Sequence, residues 1–330
     1  MYPIIRNLLF KLEPETAHQL ALTALDWMPS VCFTEPTKKT VQAMGLSFPS
    51  PIGLAAGLDK NAAHVKGLHK MGFGFIEVGT VTPRAQIGNP KPRLFRLPSA
   101  HALINRMGFN NEGVDVLLKN IQTTAYPGIL GINVGKNKET SLNNAVNDYV
   151  YCLQKVYSHA SYITLNLSSP NTPELRELQK GEYLDRLLAQ VTDEQQRLAD
   201  HHQRWVPLVV KLSPDEEQDI EKEMVAISLK YDVAGIIATN TTCYRDVAIK
   251  NMPHGEEAGG LSGSPLMRRS LDCLRRLKSE IGNAMTLIGV GGIDSPAVAA
   301  DFLSAGASLL QIYTGFIYHG PSLVRRLTEM

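Results

Sequence analysis

Several signals of familiar protein classes are absent from this 330-residue sequence. Its four cysteines (32, 152, 243 and 273) are too widely spaced for a zinc or iron–sulfur pattern and too few for a disulfide framework, which fits a reducing compartment. The nine histidines form no HExxH motif and no pair at helical i, i+4 spacing, so we predict no metal site. With 33 basic and 32 acidic residues, charge gives no reason to expect nucleic acid as a partner.

Long hydrophobic runs are missing as well. None approaches the ~20 apolar residues of a membrane-spanning helix, and the N-terminus has no secretory signal, so we expect neither membrane spanning nor export. The chain does contain 44% hydrophobic and 20% charged residues, which is typical of a globular protein with a sizeable core. Its length suits either two domains or one large α/β barrel with an appendage.

The first 28 residues predict two short amphipathic helices. Apolar residues form one stripe over 4–12, Pro14 suits the first turn of a second helix, and apolar residues recur at three- and four-residue steps over 17–28. Two interpretations stay open: a helical hairpin that caps the protein's own core, or a module that lies on a membrane surface. Residues 29–40 resemble a linker, which gives predicted domains of 1–40 and 41–330.

Short apolar runs alternate with helical patterns after residue 50, and they are apolar nearly throughout, as strands covered on both faces should be. The predicted strands are 52–57, 75–80, 129–134, 162–168, 207–212, 234–240, 286–290 and 309–313. Eight such units predict an α/β fold of the (β/α)8 TIM-barrel type, with a doubly wound open sheet as the alternative. The connections 81–128 and 241–285 are over-long and follow strand ends, so we predict binding loops there.

Polar side chains collect at the predicted C-terminal strand ends, where parallel barrels place active sites. The stretch NLSSPNT (166–172) alone is more typical of a turn, but amide and hydroxyl groups end the other strands too, and together they suit a planar polar heterocycle. Lys60 and Lys211 are either solvent-facing charges or cations for an anionic ligand and a reduced cofactor. Glycine turns in 289–294 and 313–321 predict a phosphate site, whereas the lack of an early GxGxxG disfavours a dinucleotide fold.

These segments resemble one enzyme family, the membrane-associated, quinone-linked class 2 dihydroorotate dehydrogenases. The resemblance covers nearly the whole chain. Its most specific stretches are GLAAGLDK (53–60), GFGFIEVGTVTPRAQIGNPKPRLFRL (72–97), INRMGFNN (104–111), GINVGKNK (131–138), NLSSPNTPELRELQ (166–179), IIATNTT (236–242), GGLSG (259–263) and IGVGGIDS (288–295).

The resemblance implies that (S)-dihydroorotate is oxidised to orotate in de novo pyrimidine biosynthesis. A base removes the C5 proton and FMN, one per chain, accepts hydride from C6. Ser169 matches the base, and Thr172 and Phe109 match residues that form or shield the proton exit, because a serine hydroxyl must pass its proton onward.

The resemblance also assigns binding residues. Those matching the substrate site are Lys60, Asn105, Arg106, Met107, Gly108, Phe109, Asn166, Asn171, Asn240 and Thr241. Those matching the FMN site are Ala56, Gly57, Thr80, Asn133, Asn166, Lys211, Thr239, Gly263, Gly291, Gly292, Tyr313 and Thr314. His18, Arg96 and Tyr313 match residues around the quinone.

The class further implies ubiquinone or menaquinone as acceptor, attachment of the N-terminal helices to the cytoplasmic face of the bacterial inner membrane, and a monomer without an iron–sulfur partner subunit. Class 1 enzymes fit worse, because they lack the N-terminal extension and use cysteine as base. Another FMN-dependent dihydropyrimidine or dihydrouridine oxidoreductase remains an alternative, as does a non-catalytic membrane-surface module that keeps the barrel as scaffold.

Overall fold

The computed structural model describes residues 2–29, 39–172 and 174–330. Two helices come first, α1 (Tyr2–Leu9) and α2 (Pro14–Trp27), as the amphipathic pattern predicts. Pro14 occupies the first turn of α2, and the Glu13 carboxylate accepts hydrogen bonds from the next free backbone N–H groups, so the sequence itself fixes where this helix begins. Most of the predicted linker, residues 30–38, lies outside the described residues.

A short antiparallel hairpin, β1 (Val41–Ala43) and β2 (Leu46–Phe48), then closes the N-terminal end of a barrel. The strands after it are β3 (Ile52–Leu54), β4 (Phe75–Val81), β5 (Leu94–Leu97), β6 (Ala102–Asn105), β7 (Ile129–Val134), β8 (Tyr162–Asn166), β9 (Leu208–Lys211), β10 (Gly235–Ala238), β11 (Gly260–Gly263), β12 (Thr286–Val290) and β13 (Leu309–Ile312). Phe48 of the hairpin packs edge-on against Phe75, with ring centroids 5.1 Å apart.

Eight of these strands form the closed barrel, and all of them pair in parallel. Their order around it is β3, β4, β7, β8, β9, β10, β12 and β13, and β13 returns to pair with β3. Each coincides with one of the eight predicted strands, so the (β/α)8 prediction is confirmed and the open sheet is excluded. Alternate residues of a strand share one face, so the side chains inside the barrel form layers. These layers are apolar at the N-terminal ends of the strands and polar at their C-terminal ends.

The remaining helices lie after β3 in the chain, and most of them cover the outside of the barrel. They are α3 (Val65–His69), α4 (Val114–Thr124), α5 (Ala145–Val156), α6 (Gly181–His202), α7 (Gln218–Lys230), α8 (Val247–Lys250), α9 (Met267–Ile281), α10 (Pro296–Ser304), α11 (Thr314–His319) and α12 (Pro321–Thr328). The longer ones bury one apolar stripe against the strands, which creates a single large core.

The two over-long connections form a structure that the sequence did not predict. Strands β5 and β6, from the first connection, pair antiparallel, and β11 from the second pairs with β6. This three-stranded sheet, the lid sheet, stands at the C-terminal end of the barrel and brings Asn105 beside Gly260. The predicted binding loops therefore share one ordered element.

The N-terminal helices are fastened to the barrel by polar contacts. The buried Arg93 guanidinium forms two hydrogen bonds of 2.9 Å with Glu15 of α2, and His64 Nδ1 lies 2.6 Å from Asp26 of the same helix. At the other side, the Tyr2 hydroxyl and Arg6 of α1 donate to backbone carbonyls of α11.

Much of the apolar surface of these two helices nevertheless remains uncovered. Ile4, Leu8 and Leu20 are 68%, 59% and 52% exposed, Trp27 is 85% exposed, and α1 has no buried residue. Within the described parts of the chain, no helix is both long enough and apolar enough to cross a membrane.

Candidate active site

A cavity of about 710 Å³ opens at the C-terminal ends of the barrel strands and continues to α2. A volume of this size accommodates a cofactor and a small substrate. Most of the predicted site residues line it: His18, Ala56, Gly57, Lys60, Thr80, Asn105, Met107, Gly108, Phe109, Asn166, Ser169, Asn171, Lys211, Thr239, Asn240, Thr241, Gly263, Gly291, Gly292, Tyr313 and Thr314. The fold therefore brings together residues that are scattered between positions 18 and 314 of the sequence.

Glycines form one end of this cavity. Gly291 and Gly292 follow β12 with φ values of 118° and 77°, in the region that side chains rarely adopt. A Cβ at Gly292 would lie 2.7 Å from the backbone nitrogen of Met267, so no larger residue fits there. Thr314 and Gly315, after β13, line the same end. Backbone N–H groups in such turns suit a phosphate, as the sequence predicts.

Lys211 brings a cation into the cavity. Its side chain, on the last residue of β9, is 6% exposed, and its ammonium forms no hydrogen bond with any residue that the structure describes. Burial lowers the pKa of Lys211, and the negative charge of Glu77 opposes that shift. A buried ammonium without a protein partner needs an acceptor from a ligand, so this lysine indicates a bound group that carries or develops negative charge.

Three buried polar side chains and the half-buried Asn240 form a hydrogen-bonded chain across the cavity floor. The Thr80 hydroxyl donates to Asn133 Oδ1 at 2.5 Å, and Asn166 Nδ2 donates to the Thr80 oxygen at 2.9 Å. Asn240 Nδ2 in turn lies 3.4 Å from Asn166 Oδ1 and 3.0 Å from the Ser168 hydroxyl. Each amide orientation follows from its neighbour, so the chain presents a fixed pattern of donors and acceptors. Asn133 itself lies beneath the cavity wall rather than in it.

Glu77 starts this chain, and the sequence analysis missed it. The fully buried carboxylate accepts hydrogen bonds from Asn133 Nδ2 (2.8 Å), the Tyr162 hydroxyl (2.8 Å) and Gln311 Nε2 (2.7 Å). Because Asn133 gives its N–H to Glu77, its oxygen must face Thr80. The available signal was a single acidic residue inside the otherwise apolar strand FIEVGT, where a buried charge requires partners.

Lys60 stands between the strand ends and α2. Its ammonium donates to Asn110 Oδ1 at 2.5 Å, a partner that the sequence analysis did not single out. Burial, followed by repulsion from Arg93, lowers the pKa of Lys60 to about 8. His18 of α2 lines the same part of the cavity, and burial together with the nearby Lys60 lowers its pKa to about 4. The imidazole is therefore neutral at physiological pH.

The predicted base and its neighbours occupy the loop after β8. Ser169 is 6% exposed, lines the cavity, and accepts a 3.3 Å hydrogen bond from the backbone N–H of Asn171. The Thr172 hydroxyl is buried and finds no partner among the described residues, and its side chain does not line the cavity. Phe109, with φ 53°, forms part of the wall. Asn171 Nδ2 donates to Asn105 Oδ1 at 3.2 Å, which joins this loop to the lid sheet.

Besides Asn133 and Thr172, two predicted arginines lie outside the cavity lining. Arg96 donates to the backbone carbonyls of Phe10 and Leu12, and its guanidinium covers the Phe10 ring at 4.6 Å. Arg106 forms an ion pair with Glu257 at 2.7 Å. Sequence position could not distinguish these arginines from site cations. Arg96 shares a face of β5 with the cavity-lining Leu94, but its guanidinium bonds to the turn after α1. Arg106 follows β6 and turns the other way, over the Phe95 ring.

This arrangement suits a reaction between a small polar ring and a cofactor that becomes negatively charged. Neutral donors and acceptors surround a small ring, Lys60 can hold an anionic substituent, and Lys211 can stabilise charge on a cofactor. The continuity of the cavity with α2 supplies a second approach to the cofactor from the side of the exposed helices.

Comparison with known proteins agrees with this geometry. The family model described as dihydroorotate dehydrogenase matches residues 39–330. A protein of Legionella pneumophila (strain Lens) named dihydroorotate dehydrogenase (quinone) is 59% identical over 329 residues, covering 100% of this chain and 98% of its own. One of the same name from Burkholderia pseudomallei (strain 668) is 54% identical over 331 residues, covering 98% and 96%.

A crystal structure of DHODH from Eimeria tenella in complex with ferulenol superimposes with a TM-score of 0.92 at 34% identity, covering 100% of this chain and 94% of that one. The family match spans far more than half of the sequence and includes every barrel strand. The protein described here belongs to the dihydroorotate dehydrogenase family.

Proposed function

We propose that this protein oxidises (S)-dihydroorotate to orotate in pyrimidine biosynthesis and passes the electrons to a quinone. The observation that carries the proposal is the single cavity that joins the barrel strand ends to α2 and contains Ser169, Lys60 and Lys211 in its wall. Relatives of 52–59% identity bear the name of this activity with a quinone.

FMN is the cofactor that the cavity fits. The glycine turns at 291–292 and 314–315 suit its phosphate. The Lys211 ammonium, which has no hydrogen-bond partner among the described residues, suits the edge of the ring that becomes anionic on reduction. When bound, FMN supplies a hydride acceptor for C6 of the substrate. Ala56, Gly57, Thr80, Asn166, Thr239, Gly263, Tyr313 and Thr314 complete the proposed lining, with Asn133 supporting Thr80 from behind.

The substrate would be held by charge and by amides. Lys60 pairs with the carboxylate, while Asn105, Asn166, Asn171 and Asn240 bond the edge of the ring; Met107, Gly108, Phe109 and Thr241 close around it. Ser169 would remove the C5 proton. Because the Thr172 hydroxyl is buried without a described partner, it can take part in a relay from Ser169, with Phe109 shielding the path from solvent.

The quinone would arrive through the α1–α2 module, residues 1–40, and the barrel, 41–330, would be the catalytic domain. Exposed Ile4, Leu8, Leu20 and Trp27 favour contact with a lipid surface. His18 and Tyr313 line the cavity where a quinone head would approach; Arg96 lies outside and would act by holding the α1–α2 turn. We place the protein, as a monomer, on the cytoplasmic face of a bacterial inner membrane, with ubiquinone or menaquinone as acceptor.

The decisive experiment is anaerobic mixing of the purified yellow protein with dihydroorotate while the oxidised flavin band is followed. The flavin of the wild-type protein should bleach within the dead time of mixing or soon after it. The flavin of Ser169→Ala should bleach at least about 100-fold more slowly, because general base catalysis typically contributes 10²–10⁴-fold to a rate. Ser228→Ala, at a buried serine in α7 far from the cavity, is the matched control and should behave as wild type.

Two other outcomes carry clear meanings. Equal rates of flavin bleaching in Ser169→Ala and wild type would show that Ser169 is not the base, but would still support dihydroorotate as the substrate. A bound flavin that stays oxidised with dihydroorotate would contradict the substrate and direct the search to other dihydropyrimidines.

A further inference from the structure

Three potential metal ligands meet outside the active-site cavity. His101 lies in the turn between β5 and β6, Asp294 follows β12, and His319 is the last residue of α11. One ligand atom from each lies within 4.8 Å of the other two. None of the three lines the cavity, and the proposed reaction uses none of them. No sequence motif announced this cluster, because its members come from three distant segments.

Most of the potential ligand atoms in this cluster have no hydrogen-bond partner among the described residues. Within residues 2–29, 39–172 and 174–330, the imidazole nitrogens of His101 and His319 form no hydrogen bond, and Asp294 uses only Oδ2, which accepts from the Ser264 hydroxyl at 2.7 Å.

The positions of these side chains are constrained by their surroundings. The His101 ring stacks on Tyr318, with centroids 5.1 Å apart at 29°, and its backbone is held in the left-handed region at φ 46°. Ser264 orients the Asp294 carboxylate in the way that outer-shell partners orient metal ligands.

We propose that His101, Asp294 and His319 bind a zinc-class divalent cation, with water as the fourth ligand. Two imidazoles and one carboxylate are a ligand set that Zn²⁺ accepts in tetrahedral geometry. Bonds of about 2.0–2.1 Å require ligand atoms about 3.3 Å apart, which side-chain rotation can achieve from the observed spacing because His101 is exposed. The cation would join the lid sheet, a barrel turn and α11.

The location gives the cation a structural consequence. Tyr318, which stacks on His101, also packs edge-on against Phe10, and its backbone carbonyl accepts from Arg6 of α1. A metal that fixes His101 and His319 would therefore hold the surface against which α1 docks. We infer that zinc braces the N-terminal module.

Competition titration tests the site directly. Metal-free, untagged full-length protein would be titrated with ZnCl₂ against a chromophoric chelator. We expect one Zn²⁺ per chain for wild type, and affinity weakened by at least about 100-fold in His319→Gln and in Asp294→Asn, since even outer-shell losses typically cost 10–100-fold. His202→Gln changes an exposed histidine that stands beside another, His201, with ring centroids 4.8 Å apart, and serves as the matched control with unchanged affinity.

Two further measurements distinguish a loss of zinc binding from a loss of folding. Because the His319 ring makes no hydrogen bond in the described parts of the chain, His319→Gln should unfold at the wild-type temperature when zinc is absent. Co²⁺ should give the intense visible bands of a tetrahedral site in wild type only. Equal zinc affinity in wild type, His319→Gln and Asp294→Asn would overturn the proposal.

The bracing effect has its own readout. Hydrogen exchange of the α1 amides, residues 2–9, should slow on zinc addition in wild type and remain unchanged in His319→Gln. Zinc binding without any change in α1 exchange would refute the coupling to the N-terminal module.

Discussion

Replacing Glu77 by glutamine perturbs the centre of the barrel without changing its shape. Glu77 Oε1 accepts one hydrogen bond and Oε2 accepts two, all from buried donors. In Glu77→Gln one of these oxygens becomes an NH₂ group, so at least one of Asn133, Tyr162 and Gln311 loses its acceptor whichever way the amide turns.

The size of the effect follows from these contacts. An orphaned buried donor costs about 1–3 kcal/mol, and each remaining bond loses roughly 1 kcal/mol when its acceptor is no longer charged. The free energy of unfolding should thus fall by about 3 kcal/mol. With an unfolding entropy of about 2.1 cal/mol/K per residue over 330 residues, the melting temperature should fall by about 4 °C.

Differential scanning calorimetry at fixed protein and ligand concentration measures this shift. Thr164→Val is the matched control, because Thr164 lies on β8, the strand that carries Tyr162, is equally buried, and its hydroxyl has no partner in the part of the chain that the structure describes. Removing that hydroxyl should leave the melting temperature unchanged or raise it. A Glu77→Gln protein that melts within 1 °C of wild type, or a Thr164→Val protein that falls as far, would refute the reasoning.

Three further predictions follow from the cavity and the helices. Lys60 has a pKa lowered to about 8, so kcat/KM for dihydroorotate should fall above about pH 8 as the ammonium is lost. Lys60→Met should have a low kcat/KM at every pH, without this decrease at alkaline pH. Profiles of kcat/KM against pH with the same shape in wild type and Lys60→Met would contradict the assignment. His18 has a pKa near 4 in the folded protein, below its unfolded value near 6.5, so the protein loses stability as pH falls from about 6.5 to 4. The melting temperature should therefore differ less between pH 7 and pH 5 in His18→Asn than in wild type. An equal difference in the two proteins would contradict this role of His18. Ile4→Ser combined with Leu8→Ser should reduce sedimentation with phospholipid vesicles while preserving dye-coupled turnover. The control Tyr151→Ser, at an exposed residue of α5, should leave both sedimentation and turnover unchanged; unchanged sedimentation of the α1 double variant would argue against lipid contact through α1.

The barrel was predictable because its signal is repeated. Each of the eight strands is a short apolar run buried on both faces, and β4, which is buried at all seven positions, shows the pattern most clearly. The lid sheet was not predictable in the same way. Its strands have only four residues each, and β11 pairs with β6 although Asn105 and Gly260 are 155 positions apart, a distance over which local patterns carry no information.

The sequence likewise located some residues of the candidate site and missed others. Residues at strand ends, such as Lys211 and Asn166, could be located because strand order fixes where they meet. Glu77 was missed because it lies inside a strand, and Asn110 because only the folded chain turns it toward Lys60. Arg96 and Arg106 show the converse limit, since a charged residue in the correct segment can still bond to groups outside the cavity.

The pairing of β6 with β11 also sets an order of events during synthesis on the ribosome. Residues 102–105 emerge long before residues 260–263, so β6 has to wait with one edge bare until four fifths of the chain has been made. A bare edge is a template for association with other chains, and non-local pairing is slow. The nascent protein is therefore most prone to aggregate in this interval, and its active site cannot acquire a cover until translation has passed β11.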